Sequence, residues 1–75
     1  MAKRNQNEPY AVVQAFPGQL KALRAAKGWT VRELGERAGL SYQTVSSLET
    51  GRYEPKLSTL AALARALGVG PEKFF

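Results

Sequence analysis

Glycines at positions 28, 39, 51 and 68 divide the chain beyond Pro17 into short helical segments. That division limits the fold more than any other feature. Each glycine follows apolar residues at helical spacing and suits the left-handed residue that closes an α-helix. Pro17 is acceptable at a first helical position, and Leu20, Leu23 and Arg24 then share a face up to Gly28. Thr30-Val31-Arg32-Glu33 has the Thr-x-x-Glu capping-box form and opens a second helix. Val31, Leu34, Gly35 and Ala38 lie on one side of it. Arg32 with Glu36, and Glu33 with Arg37, are opposite-charge pairs one turn apart on the other. Ser41 is a good N-cap for a third helix, over about 41–50. Leu57 to Leu67 makes a fourth, striped by Leu60, Leu63, Ala64 and Leu67, and Pro71 opens a last short element. Short helices with short connections predict a compact all-α domain, a five-helix bundle over residues 17–75.

Residues 1–16 stand apart as an N-terminal arm. Positions 1–9 are polar, carry Lys3 and Arg4, and read as a disordered tail. Tyr10 to Phe16 is apolar but too short for its periodicity to separate strand, helical turn and packing arm.

With 75 residues the chain is limited to one small domain. It has no cysteine, no histidine and no aspartate. Disulfides, thiolate metal sites and the usual nucleophile–base pairs are therefore excluded, so neither an enzyme nor a metal or other cofactor is expected. Eleven Lys and Arg against six Glu give a net charge of +5. A small basic domain suits an acidic partner, nucleic acid first. No apolar run approaches the ~18 residues of a membrane span, and the N-terminus does not read as a secretory signal. A cytoplasmic protein without a membrane partner is expected.

The stretch from Thr30 to Gly51 is the informative one. Only Gly39-Leu40-Ser41 joins its two helices, which forces a sharp crossing rather than an antiparallel hairpin. Gly35 sits mid-helix at a cost of roughly 1 kcal/mol against Ala, which close approach by the third helix explains. In that third helix Val45 and Leu48 face inward. The outer side shows Gln43, Ser46, Ser47 and Thr50, with Tyr42 at the first turn. A solvated face usually carries Lys and Glu, whereas this one carries neutral hydrogen-bonding groups of the kind that suit base edges in a major groove. Glu49 flanks the inward stripe and must find a cation. Arg24 lies on the equivalent flank of the first helix, so an Arg24–Glu49 pair is predicted to orient the third helix on the first. Of the adjacent aromatics Phe74 and Phe75, only one fits a small core, which leaves the other for a subunit interface. Trp29 is placed in the core.

Taken together, Leu23 to Thr30, Glu33-Leu34-Gly35, Ala38 to Ser41, Thr44 to Arg52, Pro55, Thr59-Leu60 and Leu63 to Val69 resemble the phage repressor/Cro-like (XRE) helix–turn–helix family, over about residues 18–75. The resemblance implies a lambda repressor-like DNA-binding domain, usually a homodimer, that regulates transcription at a palindromic operator. By position, Tyr42, Gln43 and Ser47 match residues that reach base edges, with Ser46 and Thr50 as helpers. Thr30, Val31, Arg52 and Tyr53 match phosphate-contacting positions, and Ser41, Thr44 and Lys56 are further phosphate candidates. Arg24 and Glu49 match a family ion pair. Phe74 and Phe75 fall on an element that often forms the dimer contact.

Four features depart from the family pattern. Val31 replaces a common Gln, Lys56 a common N-cap Ser, and Gly35 a common Ala. Residues 1–16 have no counterpart, although Lys3 and Arg4 suit an arm that reaches DNA. The implied function is a dimeric repressor or a small controller-type regulator. The contrasting reading is an antitoxin or protein-interaction module that uses the same bundle to bind a toxin or an RNA polymerase subunit.

Overall fold

The computed structural model describes residues 8–52 and 54–74, with side chains from residue 15. It contains α1 (Glu8–Ala26), α2 (Val31–Ala38), α3 (Tyr42–Glu49), α4 (Leu57–Leu67) and a closing 3-10 turn, Pro71–Phe74. All elements among the described residues are helical. Helix α2 packs on α3 and α4, α1 packs on α3, and the closing turn rests on α1 and α4.

The local signals act as their chemistry requires. Thr30 Oγ1 accepts from the Glu33 N–H at 3.0 Å, and Glu33 Oε1 accepts from the Thr30 N–H at 2.8 Å, which completes the capping box. Ser41 Oγ accepts from the Thr44 N–H at 3.0 Å and starts α3. Lys56 starts α4 without a side-chain cap. Gly39 takes φ 73°, ψ 29°, and behind it the Leu40 N–H donates to Gly35 O at 2.8 Å. This left-handed step satisfies carbonyls at the end of α2 and aims the chain into α3.

Gly35 is explained by the same turn. A Cβ there would stand 2.7 Å from the Leu40 carbonyl oxygen. The close approach comes from the turn backbone rather than from the body of α3. Gly35→Ala is therefore expected to lower the thermal midpoint by several degrees although alanine is the better helix former, because overpacking against backbone costs about 1–3 kcal/mol. A raised midpoint in a circular dichroism melt would show that the turn gives way.

The core consists of Phe16, Leu20, Leu34, Val45, Leu48, Leu63, Ala64, Leu67 and Phe74. The predicted stripes of α2, α3 and α4 all contribute. Several expectations need correction. First, α1 begins at Glu8, so Pro17 lies inside it and residues 8–16 are helical. An interior proline costs about 3 kcal/mol. Carrying the helix through it places Phe16 on the Leu20 face, buried at 3% exposure. The ring also meets Phe74 edge-on, with centroids 5.2 Å apart. Burying one aromatic and forming that pair together return about the same amount.

Second, the fifth helix is a single 3-10 turn. Pro71 offers no N–H, the Lys73 N–H reaches back only to Gly70 O at 3.0 Å, and this one turn suffices to seat Phe74. Third, Trp29 is half-buried at the rim of the core rather than inside it. Its ring lies 4.4 Å from Arg37 Cζ and 5.8 Å from Lys27 Nζ.

The predicted charge pairs on α2 do not form. Among the described residues Arg24–Glu49 is the only ion pair. Glu33 turns back to its cap, Arg37 lies over Trp29, and Arg32 lies over Tyr42. Exposed charge pairs are weak enough for these competitors to win. No described helix is long and apolar enough to cross a membrane. Expectations for Lys3 and Arg4 lie outside the described residues.

Candidate nucleic-acid interface

Helix α3 is held from behind. Val45 and Leu48 are fully buried, and Glu49 takes the predicted partner. Arg24 Nε donates to Glu49 Oε2 at 2.6 Å and Nη2 to Oε1 at 3.0 Å. Nη1 donates to the Trp29 carbonyl at 2.7 Å. One guanidinium thus ties α1, the α1–α2 connection and the last turn of α3. The side chains of Arg24 and Glu49 are only 15% and 6% exposed. The hydrogen bonds to Glu49 raise the Arg24 pKa above its ordinary value against the opposing effect of burial.

The opposite side of α3 is open. Tyr42 is 48% exposed. Gln43 and Thr50 are exposed, while Ser46 and Ser47 are half-buried. The structure brings all five base-contact candidates onto one outward surface, but they are not equivalent. Thr50 caps its own helix, its hydroxyl donating to Ser46 O at 3.0 Å and Ser47 O at 3.1 Å. It keeps only acceptor capacity for a ligand. Gln43 retains an amide donor and acceptor at the centre of the surface, and Ser46 and Ser47 flank it.

The phosphate candidates lie around this surface. Ser41 Oγ donates to Thr44 Oγ1 at 2.8 Å, which leaves the Thr44 hydroxyl its own proton for an outside acceptor. Thr30 likewise accepts within the capping box and keeps its hydroxyl proton. Val31 is half-buried and packs against the core, so only its backbone N–H is of use to a phosphate. Arg52 and Lys56 are exposed beyond the C-terminal end of α3. Tyr53 lies outside the described residues. Of the two dimer candidates, Phe74 is the core member: at 0% exposure its ring has no surface to give a partner. Phe75 lies outside the described residues.

One group was missed by the sequence reading. The Arg32 guanidinium lies over the Tyr42 ring, Cζ to centroid 5.3 Å. A side chain assigned to a charge pair within α2 instead crosses the turn to the first residue of α3. No local pattern signals it, because the contact exists only once the turn has brought the two helices together.

A model of the helix–turn–helix family matches residues 20–74. The chain is similar to the HTH-type transcriptional regulator y4dJ of Sinorhizobium fredii, with 53% identity over 47 residues, 63% of this chain and 61% of the relative. It is similar to the immunity repressor protein of Bacillus phage phi105, with 43% identity over 51 residues, 68% of this chain and 35% of the relative. The chain thus matches less than two thirds of the length of these two relatives. Among solved structures, it resembles the restriction-modification controller protein C.AhdI from Aeromonas hydrophila, with a TM-score of 0.79 and 33% identity, covering 85% of this chain and 91% of that one.

Proposed function

This chain belongs to the helix–turn–helix family, and from that premise we propose that it is a sequence-specific double-stranded-DNA-binding transcriptional regulator. The observation that carries the reading is the outward side of α3. It is a row of uncharged hydrogen-bonding side chains on a helix whose opposite side is locked by Val45, Leu48 and the Arg24–Glu49 pair. Neutral donors and acceptors on a fixed helix match the edge pattern of bases in a major groove. The names of the phage repressor and the controller protein favour the same reading.

In this reading Tyr42, Gln43 and Ser47 contact bases, with Ser46 beside them. Thr30, the Val31 N–H, Thr44, Arg52 and Lys56 contact phosphates and set the register, while the Ser41 hydroxyl, its proton given to Thr44, serves as the cap of α3. A homodimer places two copies of α3 in successive major grooves about 34 Å apart and recognises a palindrome. Occupation of the operator represses or activates transcription, and the reading requires no catalytic step or cofactor.

Selection from a random duplex pool tests this directly. A palindromic consensus, bound with affinity that falls steeply as salt rises, is the expected result. Failure to enrich any duplex, or affinity indifferent to salt, would favour the bundle as a docking module for a protein such as a toxin or a polymerase subunit. Within the selected site, Gln43→Ala is expected to leave the melting curve unchanged. It should relax the preference at one base pair by about 1–3 kcal/mol. A uniform loss on all sequences would remove Gln43 from base reading.

A further inference from the structure

We infer that Arg32 and Tyr42 act as one reading unit, in which the Arg32 guanidinium fixes the Tyr42 ring for base contact and itself takes a DNA backbone phosphate. The inference rests on the regulator reading above and adds a residue to it. Arg32 is the second residue of α2, and Tyr42 is the first of α3. Their side chains meet with 5.3 Å between Cζ and the ring centroid, within cation–π range. Arg32 makes no ion pair among the described residues, although Glu36 stands one turn away on the same helix.

A cation–π contact does not use up N–H donors as a hydrogen bond does, so the guanidinium keeps donors for an anion. Nothing in the core restrains Tyr42, which is 48% exposed at the opening of α3. A ring so placed samples several rotamers unless a neighbour holds it, and ordering it on binding costs affinity. Arg32 supplies that neighbour before any ligand arrives. The surroundings favour an anion. The Thr30 and Glu33 N–H groups are satisfied within the capping box, whereas those of Val31 and Arg32 have no intrahelical acceptor, as in any first helical turn. A helix that precedes a major-groove reader crosses the sugar–phosphate backbone, which places the Arg32 edge beside a phosphate of the same half-site.

The test uses the full chain on the duplex it selects, with four variants: Arg32→Ala, Arg32→Lys, Tyr42→Ala and the Arg32→Ala/Tyr42→Ala double variant. Arg32→Ala is expected to weaken binding about tenfold and to reduce the slope of log affinity against log salt by about one. It should also blunt discrimination at the base pair that Tyr42→Ala affects. Arg32→Lys should restore the salt slope, because the charge remains, but not the full discrimination, because a compact ammonium on a flexible stem holds the ring less firmly. In the double variant, discrimination should be no worse than in Tyr42→Ala alone. An unchanged salt slope in Arg32→Ala, or additive losses of discrimination in the double variant, would overturn the inference while leaving the regulator reading intact. If the unaltered protein selects no duplex, both fail. The Lys variant keeps the test decisive should Arg32→Ala prove unstable.

Discussion

Glu49→Ala is expected to destabilise the domain by about 2–4 kcal/mol, because it leaves the Arg24 guanidinium enclosed without its counter-charge. The full cost of breaking a buried pair is set at about 3–5 kcal/mol. Arg24 remains 15% exposed and keeps the Trp29 carbonyl, so the cost lies around and below the lower end of that range. A chain of 75 residues has a total stability of roughly 4–11 kcal/mol, so the loss is a large share of what holds it folded. The thermal midpoint should fall by about 10–25 °C. Glu49→Gln, which keeps a carbonyl oxygen for one Arg24 N–H, should fall between the two. Circular dichroism melts and urea titrations read this, and DNA affinity per folded molecule reads orientation separately. A midpoint within about 2 °C of the parent would mean that the pair neither stabilises nor orients α3.

The second large effect is expected at Phe74. Its ring is fully buried and meets Phe16 edge-on. Phe74→Ala removes that pair and opens a cavity at the junction of α1, α4 and the closing turn, at a cost of about 3–5 kcal/mol. Phe16→Ala should cost a similar amount, and the double variant should cost less than the sum, since each single change already breaks the shared contact. Additive losses in a double-mutant cycle would mean that the rings are buried independently. Phe74→Leu, which refills most of the volume, should recover more than half of the midpoint.

What the sequence makes legible depends on the range of the forces involved. The capping box at Thr30, the cap at Ser41 and the stop at Gly39 are local hydrogen-bond chemistry, so the residues alone reveal them. Arg24–Glu49 joins distant positions and is still readable, because a charge on the edge of a buried stripe requires a partner and only one flank offers it. Phe16 was not readable. Pro17 is the standard mark of a helix start, and only the packing of Phe16 on Phe74 justifies running α1 through it. For Arg32 and Arg37, glutamates one turn away are the local candidates. Their aromatic partners become neighbours only after the chain has folded. The closing turn is shorter than a fifth helix for a related reason: seating Phe74 takes one 3-10 turn, and apolar content alone does not distinguish that from a helix. On α3 the outward surface was legible as a set. The loss of the Thr50 proton to its own helix end was not, because it depends on where α3 stops.

The division of labour along α3 has an evolutionary corollary. Its anchors, Val45, Leu48 and Glu49, alternate with Gln43, Ser46 and Ser47, whose side chains add nothing to the buried core. If these side chains read bases as proposed, descendants of one gene copy are free to drift in the sequence they recognise, one letter at a time, while the scaffold beneath stays fixed. New regulatory circuits are then open to such a chain without its first passing through a form that does not fold.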